Sequence, residues 1–504
     1  MSKGIPLDEA EPPLVLGLDV GSTACRGALY DAHGRPIGKR VKIPHSFTAV
    51  ADGTSTIDPD QVVDELSQIL DVLADRVRPG LVEAVAFDSF ASSLVAVDRD
   101  GTALTPCFTY ADGRCAAQVE QLRAEADEHA VQQLTGTRIH SSYWPARLRW
   151  LSATRPDLTP ARYLSLGDYV YRRLIGVHGT GTACASWTGL VDRRACDWSA
   201  DVIDLAGISP DQLPPIHHLD DPFTPIGRAA DESARRWPAI AGARWFAPVS
   251  DGLSANVGLG AADSTTIGAT GATSGALRVI VDTLPAKLPP GLWCYAVSAQ
   301  KWIVGGALND VGRATDWLAG NLAADQLTDD AIRTALLAEP SETTPLVLPF
   351  FTGERSTGWA ADARAIMTGV SAASSATDIY RGVVEGIALS YARIARQLRP
   401  VAPGAVKIAA GGRAATARPE LFQAVSDVLG LPIEIVDAKR TTLLGTARLA
   451  LDIVAPSAGP APSIERWRPE PGQVCEPHPG RAPYYADRAE RFEAVYEALI
   501  TSRG

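Results

Sequence analysis

Leu14-Val15-Leu16-Gly17-Leu18-Asp19-Val20-Gly21-Ser22-Thr23-Ala24-Cys25-Arg26-Gly27-Ala28-Leu29-Tyr30 is the stretch on which the reading of this chain turns. An apolar run, a short polar turn and a second apolar run predict two antiparallel strands, with Asp19, Gly21, Ser22 and Thr23 at their joined end. Glycine lets a backbone approach a ligand because no Cβ intervenes, and successive turn amides and hydroxyls can wrap an anion. A carboxylate at that point repels phosphate directly. It becomes useful when a divalent cation lies between the two, commonly through water, as Mg2+ prefers. The stretch reads either as a phosphate loop for a Mg-nucleotide or as an ordinary hairpin, whose turn favours the same residues.

The surrounding chain narrows the class. Its 504 residues, 46% hydrophobic and 21% charged, suit two or three globular domains rather than one core. The net charge of -11 argues against a nucleic-acid partner, which calls for a basic face. Seven cysteines (Cys25, Cys107, Cys115, Cys184, Cys196, Cys294, Cys475) are scattered and odd in number. With no CxxC pair and no Cys/His cluster along the sequence, neither a disulfide framework nor a structural zinc is indicated. Met1 to Pro13 lacks the apolar core of a secretory signal. No apolar run reaches the roughly 18 residues of a membrane span, so a cytoplasmic location is the default expectation.

Beyond the opening hairpin, Ile37 to Ile43 predicts a third antiparallel strand. Asp58, Pro59 and Gln61 then open a helix in a capping-box-like pattern, with Val62, Leu66, Ile69, Leu73 and Val77 on its buried face. Val82 to Phe87 reads as a strand, and Asp88 to Ser93 lies just beyond it, where α/β sheets tend to place ligand residues. Asp112-Gly113-Arg114 opens a predicted helix and carries a carboxylate and a guanidinium suited to a polyol and an acidic group. Tyr143, Trp144 and Arg147 read as a sugar wall or as buried packing. Ala183 to Asp192 predicts a short strand or turn, and prolines from Pro210 to Pro225 mark loops before a domain change.

The second half repeats the theme. Asp251 stands between a short strand and a helix, placed either as a general base or as a helix cap. Thr265 to Val279 predicts another strand, small-residue turn and strand, so the two halves suggest a duplicated fold closing on a shared nucleotide. Ile303 to Asn309 leads into a helix through Trp317. Ala376 to Leu398 is a long helix, Lys407 to Ala410 a strand ahead of Gly411-Gly412, and a further helix starts at Pro419. Pro456 to Pro483 reads as irregular chain and Ala486 to Leu499 as a final helix.

In this order the motifs resemble the FGGY carbohydrate kinases, ATP-dependent sugar kinases of the actin/hexokinase-like, ribonuclease H-like superfamily. The resemblance runs from about Leu14 to about Leu499 and rests on Asp19-Val20-Gly21-Ser22-Thr23, Asp112-Gly113-Arg114, Ser250-Asp251-Gly252, Thr273-Ser274-Gly275, Gly353-Glu354-Arg355 and Gly411-Gly412. No GxxxxGK[ST] or GxGxxG stretch supports a P-loop or Rossmann reading. The resemblance implies two α/β, actin-like domains with a cleft between them: 1–247 with the sugar site and first phosphate loop, 248–504 with the catalytic base, second phosphate loop and adenosine site. It implies ATP and Mg2+ as cofactors, Asp251 as the base and Asp19 as the Mg2+ organiser. Gly21, Ser22, Thr23, Arg26, Thr273, Ser274, Asn309, Gly411, Gly412 and Gln423 would hold nucleotide, and Ser92, Asp112, Arg114, Tyr143 and Asp251 substrate. Ala272 departs from the family's usual glycine and Arg26 from its usual lysine.

The run Gly271 to Arg278 and the loop Gly353-Glu354-Arg355-Ser356 look most like the gluconate kinase branch, and Arg114 or Arg355 could pair with a sugar-acid carboxylate. Ala91-Ser92 replaces a Trp-His or Met-His pair of many relatives, which should widen the pocket and change which hydroxyls are held. The expected partner is a small carbohydrate, with a homodimer left open and neither nucleic acid nor membrane involved. Three other functions stay in view: a xylulose, ribulose or glycerol kinase, a non-catalytic sugar-binding regulator on the same fold, and an actin- or chaperone-like ATPase.

Overall fold

The computed structural model describes residues 4–158, 161–322, 326–436, 441–455, 469 and 472–501. The opening stretch forms β1 (Leu14–Gly21) and β2 (Ala24–Tyr30), joined by the two-residue turn Ser22-Thr23. β3 (Pro36–Pro44) adds the antiparallel edge predicted for this region. α1 (Pro59–Ala74) starts at Asp58, whose side chain accepts from the Asp60 amide, and buries Val62, Leu66, Ile69 and Leu73 against the sheet. Gln61 does not close a capping box: its amide donates down the helix to Glu65 Oε1 at 2.8 Å. β4 (Val82–Ser89) lies parallel to β1 in a register that sets Asp88 beside Asp19.

Two further helices, α2 (Trp144–Thr154) and α3 (Leu166–Ile175), are followed by α4 (Thr182–Ser186). The last corrects the expected strand or turn: the small residues Ala183, Cys184 and Ala185 fit one buried helical turn, and only Val191–Asp192 is extended. β5 (Arg244–Trp245) and β6 (Val249–Ser250) both pair with β4, giving the order β5-β4-β1-β2-β3. α5 (Asp251–Gly258) leaves this sheet.

The second sheet repeats the arrangement. β7 (Thr266–Gly271) pairs antiparallel with β8 (Gly275–Val281), which continues to β10 (Lys301–Leu308) and β9 (Trp293–Ser298). α6 (Gly312–Asn321) and the long α7 (Ala376–Leu398) follow, the latter opened by a capping box between Ser375 and Asp378. β11 (Lys407–Gly411) runs parallel to β7, as β4 does to β1. α8 (Pro419–Leu429), β12 (Ile433–Ile435), α9 (Thr441–Val454), β13 (Val474–Cys475) and α10 (Ala482–Leu499) complete the chain. The sheet order is β9-β10-β8-β7-β11-β12-β13. Much of the predicted irregular tail, 456–468 and 470–471, lies outside the described residues. The final helix starts at Ala482, ahead of the expected Ala486, because Pro483 suits a first turn that needs no amide donor.

α9 does not stay with the second sheet. Leu443, Ala447, Ala450 and Leu451 pack on Val15, Ala28, Tyr30, Ala84, Ala86 and Phe246 of the first. It also presses against α5: a Cβ on Gly258 would lie 1.8 Å from the Thr441 carbonyl, and one on Gly445 1.8 Å from that of Ser254. Glycine at both points is what lets the two helices touch backbone to backbone. No helix among the described residues is long and apolar enough to cross a membrane.

Candidate active site

The pairing registers set three carboxylates at one end of the first sheet. Asp19 of β1 pairs across to Arg26 of β2, whose Nη1 donates to Asp19 Oδ2 at 2.7 Å, and the same guanidinium reaches Thr23 Oγ1 at 3.3 Å. Asp88 of β4 is completely buried and meets the Thr446 hydroxyl of α9, which lies 2.9 Å from Ser254 Oγ of α5. Burial, with Asp19 alongside, pushes the Asp88 carboxyl well above the usual carboxylate range. Its Oδ1 meets no donor among the described groups. Local sequence pointed to the Asp88–Ser93 segment without singling out this acid.

Asp251 opens α5. The cap is the preceding Ser250, whose Oγ accepts from the Leu253 amide at 3.4 Å, so the Asp251 carboxylate is not consumed by capping. The Gly252 and Ala91 amides face it and favour its ionised form. Burial raises its pKa to about 6, with Asp19 adding to the rise while Arg278 opposes it. Trp187 packs over this helix start: a Cβ on Gly252 would sit 2.9 Å from its ring. Its ring stacks on Tyr295 with centroids 4.0 Å apart, and the Tyr295 hydroxyl meets that of Tyr143 at 2.6 Å.

Ser92 has a positive φ of 56° and turns its hydroxyl to the Trp187 carbonyl at 2.5 Å, while its own carbonyl accepts from the buried Arg147 at 2.7 Å. Asp112 and Arg114 face each other: Arg114 donates twice to the Asp112 carboxylate, at 3.1 and 2.7 Å, and stacks on Trp150 at 4.6 Å. Asp112 also accepts from the Ser55 amide at 2.9 Å. Arg114 is thus occupied inside its own loop.

Besides Arg147, whose Nε and Nη2 are buried without a partner among the described groups, two other arginines are only partly engaged. Arg278 is the single charged residue of β8 and donates through Nη1 to Thr270 Oγ1 at 3.2 Å, and Arg355 leaves the loop after Gly353. Each has a buried Nε with no hydrogen-bond partner among the described groups. Both guanidiniums act on Tyr295, and Arg355 also on Tyr143. Arg278, Trp187 and Asp88 were not predicted as site residues. A lone charge within Gly275-Ala276-Leu277-Arg278-Val279-Ile280-Val281 was the available signal for Arg278.

On the other side, the carbonyls of the turn between β7 and β8 accept backbone hydrogen bonds from the start of α6. Gly312 donates to the Ala272 carbonyl at 2.8 Å, and Arg313 to that of Thr273 at 3.1 Å. From this turn a cavity of about 320 Å³ runs between α6, α7 and α8, lined by Ala272, Thr273, Gly312, Arg413, Ala414 and Leu421 among others. Gly412, at φ +100°, carries the chain past it, with the Gly271 carbonyl 2.5 Å from where a Cβ would stand. Ser274 lies on the turn itself, and a Cβ on Gly411 would meet Leu259 at 2.5 Å. Asn309 braces the neighbouring loop by donating to the Gly353 carbonyl at 3.0 Å. The Gln423 amide bonds instead to Asp427, the Glu476 carbonyl and His478.

The sequence profile of the FGGY family of carbohydrate kinases, N-terminal domain, matches residues 14–257, and that of the C-terminal domain matches residues 270–451. The chain belongs to the FGGY family of carbohydrate kinases. Among its relatives, the gluconokinase of Bacillus subtilis (strain 168) is 24% identical over 451 residues, 87% of each chain. The gluconate kinase of Lactobacillus acidophilus superposes with a TM-score of 0.88 at 23% identity, covering 97% of this chain and 98% of its own. Ligand-bound xylulose kinase from the same organism gives 0.88 at 24%, covering 96% and 98%. This FGGY chain is therefore a carbohydrate kinase with the two-part α/β fold of the family.

Proposed function

We propose that this kinase transfers the γ-phosphate of ATP to a hydroxyl of a polyhydroxy acid of the gluconate type. The observation that carries the reading is the pair of guanidiniums on Arg278 and Arg355, each with a buried Nε left without a partner among the described groups. Burying an unsatisfied charged donor is unfavourable, and a substrate carboxylate answers it with short charge-assisted bonds. A neutral polyol offers these donors only uncharged hydroxyl acceptors, which make weaker bonds than a carboxylate does. The stacked Trp187 and Tyr295 supply a flat apolar wall beside it.

In this reading Asp251 takes the proton from the attacking hydroxyl. Its raised pKa suits a base working near neutrality, since it stays ionised at pH 7 yet is basic enough to hold the proton. Arg26 keeps Asp19 and Thr23 in one arrangement, and the cavity beyond Thr273 takes the adenosine. Mg2+ fits the end of the cleft at Asp19, because a carboxylate is the hard oxygen donor it prefers and water completes its shell. Asp19 would hold it. When bound, the ion neutralises charge on the transferring phosphoryl group.

Coupled ADP release over a panel of gluconate, other sugar acids, xylulose, ribulose and glycerol tests the substrate class. Gluconate or another aldonic acid should give the highest kcat/KM. Faster turnover of xylulose or glycerol overturns the acid reading and leaves the family assignment intact.

A further inference from the structure

Cys25, His45 and Glu65 are far apart in sequence and meet behind the first phosphate turn, where no cluster was legible along the chain. Cys25 lies on β2, His45 follows the end of β3, and Glu65 is on the second turn of α1. Their Sγ, Nδ1 and carboxylate oxygen all lie within 4.8 Å of one another. The Sγ to Nδ1 distance is 3.9 Å and Nδ1 to Glu65 Oε2 is 2.7 Å. The His45 side chain is fully buried and that of Glu65 is 7% exposed.

The hydrogen bonds fix the roles of the ring. His45 Nε2 lies 2.8 Å from the Gly21 carbonyl, which can only accept, so Nε2 carries a proton. A ring that donates one N–H to a backbone carbonyl and turns its other nitrogen to a thiol and a carboxylate has the outer-shell arrangement of a metal-binding histidine. Gln61 donates to Glu65 Oε1, leaving Oε2 for the cluster. Nothing in the proposed kinase chemistry uses these three side chains.

We propose that Cys25, His45 and Glu65 form a binding site for one thiophilic divalent cation, with Zn2+ as the reference ion, separate from the Mg-nucleotide centre. Thiolate, imidazole and carboxylate are the three donor types Zn2+ takes. Tetrahedral Zn–S and Zn–N bonds of about 2.3 and 2.05 Å set S···N at about 3.6 Å and N···O at about 3.3 Å. From the present separations S···N needs a change of a few tenths of an ångström and N···O about half an ångström, while S···O, within 4.8 Å here, closes to about 3.6 Å. The ligand charges also balance: thiolate and carboxylate offset the two charges of the ion, and the imidazole binds neutral. Binding releases the thiol proton and the proton shared between His45 and Glu65. Without an ion, burial and the Glu65 carboxylate hold the Cys25 thiol far above its ordinary pKa, so it stays protonated and inert. Because His45 also holds Gly21, an ion here is tied directly to the backbone that enters the Ser22-Thr23 turn.

The test is metal binding by the intact protein in excess Mg2+, which occupies hard-oxygen sites. Zn2+ is titrated against a chromophoric chelator, and stoichiometry is read by elemental analysis. The expected result is one Zn2+ per chain at a dissociation constant below about 1 µM. Cys25→Ser, His45→Gln and Glu65→Gln should each weaken it by at least about tenfold. Co2+ bound to the wild type should show a thiolate charge-transfer band that Cys25→Ser abolishes. No stoichiometric Zn2+, or binding unchanged in both Cys25→Ser and Glu65→Gln, overturns the proposal and leaves a hydrogen-bonded His–Glu pair with a bystander thiol. Neither result bears on the substrate assignment, which is read from turnover.

Discussion

Replacing Asp251 by asparagine should separate catalysis from stability. The carboxyl titrates at about 6 in the folded chain against 3.8 for the free side chain. That rise of about two units corresponds to at most about 3 kcal/mol of penalty for holding the ionised form in the cleft at pH 8. The sign follows from proton binding. Between pH 4 and 6 the folded protein holds a proton that the unfolded chain releases, so this stabilisation is complete below about 3.8 and lost as pH rises through about 6. An asparagine side chain in this place has no charge to bury, and its carbonyl still faces the Gly252 and Ala91 amides. The Asp251→Asn variant should therefore melt a few degrees above wild type at pH 8 by scanning fluorimetry, with the gain shrinking towards pH 5. Its kcat should fall by about 1,000-fold or more, while wild-type kcat/KM should decline about tenfold per pH unit below about 6. A variant retaining more than about a tenth of the activity would refute the base assignment. A melting point lowered equally at both pH values would refute the electrostatic account.

Other perturbations address the remaining parts of the site. Arg355→Gln should raise KM for an aldonic acid by about 10- to 100-fold, the loss of a charge-assisted bond of about 1.5–3 kcal/mol, and change KM for xylulose much less. Steady-state kinetics on both acceptors checks this. Gly412→Ala places a methyl 2.5 Å from the Gly271 carbonyl at a φ that side chains resist. ADP affinity by calorimetry should drop by at least about tenfold, while quenching of tryptophan fluorescence by the sugar acid persists. Arg26→Ala frees Asp19 from Thr23 and should raise KM for ATP. Arg26→Lys should restore it only in part, because an ammonium lacks the fork that reaches both.

The features legible in the sequence were those set by near neighbours along the chain. The β1–β2 hairpin, the buried face of α1 as far as Leu73 and the limits of α7 all follow from period, turn and cap, and the structure has them there, whereas Val77 lies past the end of α1 at Ala74. The helical turn at Ala183 was missed because burial of its small residues outweighed local preference, and the start of α10 because Pro483 belongs to the first turn of the helix rather than to the loop before it. In the site, Asp19, Asp251 and Thr273 stood out because each lies at a strand end next to a turn. Trp187 and Arg278 did not: one sits on a short buried helix end, the other mid-strand, and only the tertiary fold brings them to Asp251. Cys25, His45 and Glu65 show the same limit most plainly. Each is unremarked on its own element, and the cluster exists only where two strands and a helix meet.

The excursion of α9 onto the first sheet has a practical consequence for anyone wishing to dissect this enzyme. A fragment ending near residue 247 would leave Val15, Ala28, Tyr30, Ala84, Ala86 and Phe246 facing water, since their cover arrives almost two hundred residues later on Leu443, Ala447, Ala450 and Leu451. An expressed first half should therefore aggregate, whereas the same fragment supplied with the 441–455 segment through a flexible tether should not. The chain folds as a closed circuit rather than as two beads on a string, and its final third must be synthesised before its first sheet is finished.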